Sequence, residues 1–166
     1  MAASEKAESE GGALVTRPAT RRDVAALLSM MGADYEESGY RFDEERAAAS
    51  FLELIERPEL GRVWVAELDG AAAGYGVLTL GYSLEYGGRD AFVDDLFVVA
   101  EHRRRGIGRT LLDVLLAAAP ELGVRAVHLE VERSNPDARR LYEVRGFTDN
   151  ERQLLTLRLA GAEEAT

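Results

Sequence analysis

The feature that most constrains the fold is an apolar strand that leads directly into a turn rich in glycine and arginine and then into an amphipathic helix. Residues 91–99 are apolar apart from two adjacent aspartates, which is typical of a strand buried on both faces. The turn contains three consecutive arginines with Gly106 and Gly108, and apolar residues then recur at helical spacing over residues 107–118. A buried strand followed by such a helix predicts a sheet with helices packed on it, which is an α/β fold.

The other patterns predict strands in series first and then strands that alternate with helices. Two amphipathic helical patterns come early in the chain, and Asp69 with Gly70 between two β-rich runs predicts a hairpin turn. Asn135 and Pro136 are favourable residues for starting a short helix. The predicted strands are residues 14–18, 62–68, 73–80, 91–99, 124–131 and 153–159, which gives a mixed sheet in the order β1-α1-α2-β2-β3-β4-α3-β5-α4-β6.

The length and composition are those of one globular domain. The chain has 166 residues, of which 46% are apolar and 30% are charged. We assign residues 13–160 to this domain. Residues 1–12 are rich in Ala, Glu, Ser and Gly and lack the basic and apolar regions of a signal peptide, so we predict a disordered tail there and a second tail at residues 161–166.

The charge and the cysteine content narrow the expected partners. A formal net charge of −10 disfavours nucleic acid and anionic lipid and favours cationic partners, although it serves solubility alone equally well. No apolar run approaches the roughly 20 residues that span a bilayer. The sequence contains no cysteine, which excludes disulfides and thiolate–metal sites. We expect a cytoplasmic protein without a metal, a nucleic-acid partner or a membrane association.

The turn after the central strand has the features of a phosphate site. A helix N-terminus presents unpaired N–H groups and the positive end of the helix dipole. Glycines allow the backbone to approach a phosphate closely, and arginines add charge-assisted hydrogen bonds. Glycine pairs and solvated arginine runs also occur without this function, but the strand–turn–helix context favours it. The turn is not a Walker A loop, because Lys6 is the only lysine in the chain.

Two motifs together resemble the GNAT superfamily of N-acetyltransferases. Arg103, Gly106 and Gly108 fit the family signature R/Q-x-x-G-x-G/A, and residues 135–147 fill every fixed position of its second block, N-x-x-A-x-x-L-Y-x-x-x-G-F. The resemblance covers residues 14–159. It is loose at the turn, where alanine and arginine stand at positions that are proline and glycine in many members.

This resemblance implies the GNAT acyl-CoA N-acyltransferase fold, with acetyl-CoA as the co-substrate. In that family the signature turn holds the CoA pyrophosphate, while the preceding strand pairs with the pantetheine arm and polarises the acetyl carbonyl. The asparagine that opens the second block contacts the pantetheine as well as capping its helix. The binding residues implied in this way are Leu96, Phe97, Val98, Arg103, Arg104, Arg105, Gly106, Ile107, Gly108, Arg109 and Asn135.

The resemblance also implies a general acid. In many family members the tyrosine of the second block protonates the departing CoA thiolate, and a phenol with a reference pKa of about 10 is able to do so. Tyr142 occupies this position. The alternative is that Tyr142 is an aromatic residue on the buried face of its helix.

The two aspartates in the central strand are candidates for the general base. Such a break in an apolar strand indicates function or a β-bulge, and strict alternation places Asp94 and Asp95 on opposite faces. Residues 93–98 resemble the L-E-D-F-F-V segment of diamine acetyltransferases, in which the glutamate is the base through water, and this implies Asp94. Ion pairing of both aspartates to arginine is the alternative. Other candidate bases are His128, Glu130 and Glu132.

Acidic and aromatic residues lie where family members bind the acceptor. The substrate residues expected from the resemblance are Tyr35, Glu36, Glu85 and Asp95. Such a groove suits a cationic amine, for example a polyamine, an aminoglycoside or a lysine side chain in a peptide. The expected reaction is direct attack of a primary amine on acetyl-CoA in a ternary complex. The alternatives are a catalytically silent acyl-CoA sensor and a nucleotide-phosphate module. A homodimer through the last strand is a further expectation.

Overall fold

A five-stranded sheet, with its strands in sequence order, forms the centre of this computed structural model, which describes residues 12–157 and residue 159. The first four strands are antiparallel neighbours, and the fifth is parallel to the fourth. The strands are β1 (Leu14–Pro18), β2 (Gly61–Leu68), β3 (Ala71–Ser83), β4 (Gly88–Val98) and β5 (Val124–Leu129). This arrangement confirms the predicted mixed α/β fold. The predicted tails, apart from Gly12, lie outside the described residues.

Helices cover both faces of the sheet. They are α1 (Val24–Ser38), α2 (Glu44–Glu56), α3 (Ile107–Glu121) and α4 (Pro136–Val144). On one face, α1 and α2 bury Leu27, Met30 and Phe51 against Tyr75 and Phe97. On the other face, the buried side of α3 includes Leu111, Leu112 and Leu115, and residues of α4 pack on the same cluster. Among the helices of the described residues, none is long and apolar enough to cross a membrane.

Local capping fixes α4 at both ends. The Asn135 side chain accepts a hydrogen bond from the Ala138 N–H at 3.1 Å. At the other end Gly146 has a φ of 90°, and the Phe147 N–H donates to the Tyr142 carbonyl at 3.2 Å. The two aromatic rings then meet edge to face, 5.9 Å apart. This Schellman arrangement anchors the helix that carries Tyr142.

A β-bulge in β4 corrects the prediction that Asp94 and Asp95 point to opposite faces. Val77 of β3 pairs with Asp95 and the next residue, Leu78, pairs with Val93, so Asp94 is the additional residue. The bulge interrupts the alternation of side chains, and both aspartates line one cavity on the α1–α2 side of the sheet. The two aspartates that interrupt the apolar strand therefore mark a β-bulge, which was one of the two interpretations of this pattern.

The sheet opens between β4 and β5. Their parallel pairing runs from Arg89 and Val124 to Val93 and Leu129, where β5 ends. From there to Val98, β4 pairs with β3 alone among the described strands. The backbone edge of β4 that faces away from β3 is consequently open in this region, next to the start of α3.

The predicted last strand at residues 153–159 is wrong for the residues described. Residues 152–157 have no regular secondary structure, and β5 is the edge of the sheet. Leu155, Leu157 and Leu159 are 87%, 84% and 74% exposed. Their alternation predicted a strand with one buried face, but no surface of the described chain covers that face. The backbone N–H groups of Glu151 and Arg152 are instead bonded to nearby side chains in a turn.

Candidate active site

The turn between β4 and α3 exposes the N-terminus of the helix. Arg104 and Gly106 both have left-handed backbone conformations, with φ of 64° and 84°, and these curl the chain into the helix. The first hydrogen bond of α3 joins the Thr110 N–H to the Gly106 carbonyl at 3.0 Å. The N–H groups before Thr110 therefore precede the intrahelical ladder, at the positive end of the helix, which is the kind of position that suits an anion.

Protein packing does not by itself require a glycine at position 108. A Cβ added there would lie 3.6 Å from the Val98 side chain and 4.0 Å from Leu141, which are ordinary contact distances. The absence of a side chain therefore leaves backbone accessible at the first turn of α3. Such access is what a phosphate group needs in order to approach the N–H groups of a helix N-terminus.

The arginines of the turn have different environments. Arg103 donates through Nε to the Val98 carbonyl at 2.9 Å and through Nη2 to the Glu37 carboxylate at 2.6 Å, with its guanidinium 5.5 Å from the Phe97 ring centroid. It thus ties the turn to α1. Arg104 and Arg105 are exposed and form no hydrogen bond or ion pair with any residue that the structure describes. Their guanidinium groups remain available to an anion.

A cavity of about 220 Å³ lies between α1, α2 and the β4 bulge. Its apolar lining consists of Met31, Phe42, Ala47, Phe51, Leu54 and Val77. Its polar lining includes Tyr35, Arg41, Asp43, Arg46, Asp94 and Asp95. Since the bulge also faces the opening between β4 and β5, the cavity and the opening meet at the two aspartates.

The two carboxylates of the bulge hold protons more tightly than free aspartates. Burial raises the pKa of Asp95 to about 7; a hydrogen bond from the Tyr75 phenol, at 2.5 Å, opposes this shift, and the charges of Asp34 and Asp94 add to it. Burial also raises the pKa of Asp94, whose side chain is more exposed to the cavity. A carboxylate with a pKa near 7 is well matched to accepting a proton at neutral pH.

Tyr142 lies on the α3 side of the sheet, half-buried against the Phe147 ring. Burial raises the pKa of its phenol, and the negative charge of Asp95 raises it further. The phenol is therefore protonated at neutral pH and can act as a proton donor.

The family model for acetyltransferase (GNAT) proteins matches residues 25–147. This chain belongs to the GNAT acetyltransferase family. It is 30% identical over 151 residues to a phosphinothricin N-acetyltransferase of Streptomyces viridochromogenes, covering 87% of this chain and 78% of the relative.

Solved structures of other proteins share the fold. An integron cassette protein from the mobile metagenome of Cole Harbour Salt Marsh is similar with a TM-score of 0.79 at 36% identity, over 87% of this chain and 90% of that one. A predicted acetyltransferase of Clostridium acetobutylicum, solved with acetyl-CoA, has a TM-score of 0.75 at 18% identity, over 87% and 96% of the two chains. The comparisons establish the superfamily and do not single out the diamine acetyltransferases.

The structure separates the substrate residues expected from the GNAT resemblance. Tyr35 and Asp95 line the cavity, whereas Glu36 and Glu85 lie outside it. The Glu85 carboxylate is bonded to both terminal nitrogens of Arg152, at 2.8 and 3.2 Å. The expected acidic groove is therefore confined to the β4 bulge and its immediate surroundings.

The other candidate bases of this GNAT chain also lie outside the cavity. His128 is 3.6 Å from the Asp90 carboxylate and stacks near Tyr86. Glu132 accepts hydrogen bonds from Tyr40 at 3.3 Å and from Ser134 at 3.1 Å. Of all the candidate bases, Asp94 and Asp95 alone share the cavity.

Sequence reasoning missed three residues of the candidate site. Tyr75 is fully buried and orients Asp95, and its position between two glycines of β3 was the available signal. Arg41 and Arg46 line the cavity from the α1–α2 connection and the first turn of α2. No local pattern distinguishes these two arginines from solvated ones, because only the packing of α2 on the sheet brings them to the site.

Proposed function

We propose that this protein transfers an acetyl group from acetyl-CoA to a primary amine by direct attack in a ternary complex. The observation that carries the proposal is the junction at the β4 bulge. There, a cavity with two proton-accepting carboxylates meets an open strand edge that leads to an anion-binding helix N-terminus. An amine and an acyl thioester of CoA, entering from opposite sides, would meet at this point.

The residues fit CoA along the turn and the strand. The N-terminus of α3, with Arg104 and Arg105, would hold the pyrophosphate, and Arg109 lies exposed on the same first turn. The backbone edge at Leu96, Phe97 and Val98 would pair with the pantetheine arm through the groups other than the Val98 carbonyl, which already accepts from Arg103. Asn135 is committed to capping α4 through its Oδ1, which leaves its amide N–H groups for a contact. When bound, acetyl-CoA supplies the activated acetyl group.

Asp94 is the proposed general base. A primary amine arrives protonated and must lose a proton before it attacks. The Asp94 carboxylate faces the cavity and carries no hydrogen bond from a described residue, whereas Asp95 is already engaged by Tyr75. The neighbouring Asp95, with its pKa of about 7, keeps the pair able to hold a proton near neutral pH. The two groups are therefore expected to titrate together.

Tyr142 is the proposed general acid. Its phenol stays protonated at neutral pH because burial raises its pKa. The Schellman turn holds its helix in place and the Phe147 ring packs against the Tyr142 ring. Protonation of the departing thiolate by this group would favour completion of the transfer.

Product identity and steady-state kinetics test the proposal. We expect incubation with acetyl-CoA and a panel of amines to give an N-acetylated amine detectable by mass spectrometry. In initial-velocity plots with both substrates varied, we expect intersecting lines, as for a ternary complex. Parallel lines with an acetylated enzyme would contradict direct attack. Tight acetyl-CoA binding without any acetylated product would favour a silent acyl-CoA sensor.

A further inference from the structure

The acceptor cavity contains charged groups of both signs. Asp94 and Asp95 contribute negative charge from the β4 bulge and Asp43 adds negative charge at the cap of α2, while Arg41, in the connection before α2, and Arg46, in its first turn, contribute positive charge. An acidic groove for a purely cationic amine was the expectation from the sequence. The two guanidinium groups change the kind of molecule that the cavity complements.

Arg41 presents an unneutralised positive charge to this cavity. Its side chain is exposed and forms no hydrogen bond or ion pair with the residues that the structure describes. The N-terminus of α2 begins two residues later, where the Asp43 side chain accepts a hydrogen bond from the Arg46 N–H at 3.0 Å. The first turn of α2 carries its own carboxylates, with Asp43 at the cap and Glu44 and Glu45 after it, so the group offered to an oxyanion is the Arg41 guanidinium.

Tyr35 reports that both signs of charge act within one cavity. Burial raises the pKa of its phenol, the carboxylates of Asp95, Asp34 and Asp94 raise it further, and the positive charge of Arg46 opposes them. The phenol lines the same cavity as the negative groups of Asp94 and Asp95 and the positive group of Arg46. A ligand that occupies the space beside Tyr35 is exposed to both.

The size and the remaining lining favour a small ligand. The cavity volume of about 220 Å³ is below the range of roughly 300–1,000 Å³ that is usual for drug-sized molecules. Apolar side chains such as Phe42, Phe51 and Val77 line the cavity between the charged groups. Charge pairing in such surroundings is less screened than at an open surface.

We propose that the acceptor is a small amine that also carries an oxyanionic group, such as a carboxylate or a phosphonate. Its ammonium group lies at Asp94 and Asp95, and its oxyanion is bound by Arg41. This inference rests on the proposed acetyl transfer and specifies its substrate class. A diamine is disfavoured, because its second ammonium group meets the guanidinium groups.

A matched set of amines tests the proposal. The set consists of 4-aminobutyrate, its amide, butylamine and putrescine, together with glycine, glycinamide and 2-aminoethylphosphonate, each assayed for CoA release from acetyl-CoA. We expect kcat/KM for oxyanionic amines to exceed that of their neutral counterparts by about tenfold or more, and that of the diamine by a larger factor.

Substitutions at position 41 connect this preference to the cavity. Arg41→Gln should raise KM for the oxyanionic amines about tenfold, with kcat at saturation and the KM for acetyl-CoA unchanged. Arg41→Lys should recover part of the loss, and Arg41→Glu should shift the preference toward putrescine. Arg22→Gln, which alters an exposed arginine remote from the cavity, is the control. Calorimetric binding of 4-aminobutyrate and 2-aminoethylphosphonate to the enzyme–CoA complex measures the same preference without chemistry.

The outcomes distinguish the inference from the function on which it rests. The inference is overturned if kcat/KM for CoA release with neutral amines or putrescine equals or exceeds that with oxyanionic amines. The proposed acetyl transfer would still stand in that case. Indifference of the oxyanion preference to Arg41→Gln and Arg41→Glu would have the same consequence. If acetyl-CoA binds but no amine of either class releases CoA, both the proposed function and this inference are overturned.

Discussion

The phenol of Tyr75 donates a 2.5 Å hydrogen bond to Oδ2 of Asp95, and both groups lie beneath the β4 bulge. Tyr75 is fully buried, so this bond fixes the orientation of a carboxylate that would otherwise be desolvated without a partner. The carboxylate held by this bond lines the cavity together with that of Asp94. This pairing links the stability of the fold to the chemistry of the site.

Asp95 should make folding less favourable as the pH rises. Its pKa of about 7 in the folded chain lies above the ordinary value of 3.8, so the folded state holds this proton more tightly than the unfolded state. The contribution is most favourable below pH 4 and is lost as the pH rises through 7. Asp95→Asn removes the titration while its amide oxygen still accepts the Tyr75 bond. Relative to wild type, we expect Asp95→Asn to gain on the order of 2 kcal/mol of unfolding free energy between pH 5 and pH 8.

Urea denaturation of the two proteins at both pH values measures this difference. Acidic groups held by arginine, such as Asp23 beside Arg17, shift in the opposite direction and are common to both proteins, so they cancel in the comparison. Equal pH dependence of the two unfolding free energies would show that Asp95 has an ordinary pKa.

Removal of the proposed base should reduce turnover without weakening acetyl-CoA binding. We expect Asp94→Asn to lower kcat/KM for the amine by about 100-fold or more, because the ammonium group loses its proton acceptor. In wild type, kcat/KM should rise with pH through about 7 as the aspartate pair ionises. Asp34→Asn is the comparison variant, because Asp34 lies outside the cavity but its charge raises the pKa of Asp95. In Asp34→Asn, the rise of kcat/KM with pH should therefore occur at lower pH than in wild type. A larger loss in Asp95→Asn than in Asp94→Asn would assign the base to Asp95.

Gly108→Ala should separate ligand binding from folding. The added methyl group meets Val98 and Leu141 only at ordinary contact distances, and alanine favours a helix, so stability should change by less than about 1 kcal/mol. The methyl group would nevertheless obstruct the approach of a phosphate to the helix N-terminus. Calorimetry should show CoA affinity reduced by about tenfold or more, with the thermal midpoint nearly unchanged. Unchanged affinity would remove Gly108 from the proposed CoA site.

The arginines of the turn should differ in their effect on CoA binding. Arg104→Gln combined with Arg105→Gln removes two guanidinium groups that have no partner among the described residues, and should weaken CoA binding about tenfold, with a smaller salt dependence. Arg103→Gln should cost less affinity, because Arg103 is bonded to Glu37 and to the Val98 carbonyl. Titration at two salt concentrations measures both effects. A greater loss in Arg103→Gln would show that CoA displaces Glu37 from Arg103.

Local signals made much of this fold predictable. Asp69 and Gly70 have the positive φ values, 54° and 80°, that the hairpin turn requires. Asn135 caps α4 and Gly146 ends it with a Schellman turn, as their positions indicated. In each case the residue recognised in the sequence itself forms the turn or the helix cap, so the local sequence pattern was sufficient to predict the structure.

The predictions were wrong or incomplete where the structure depends on contacts with residues far away in the sequence. The bulge that turns Asp94 toward the same cavity as Asp95 depends on the register with Val77 and Leu78 in β3. The leucines at residues 154–159 alternate like a strand, but burial of that face requires a covering surface. Arg41 belongs to the site only because α2 packs on the sheet. Periodicity and capping carry no information about such contacts.

Amine-dependent CoA release from acetyl-CoA, compared between wild type and Tyr142→Phe, tests the central claim most directly. We predict release with at least one amine of the panel and a reduction of kcat by about tenfold or more in Tyr142→Phe, equivalent to about 1.4 kcal/mol of barrier. The loss of one hydroxyl should leave the ring contact with Phe147 and the fold intact. No binding of acetyl-CoA by the wild-type protein would contradict the account.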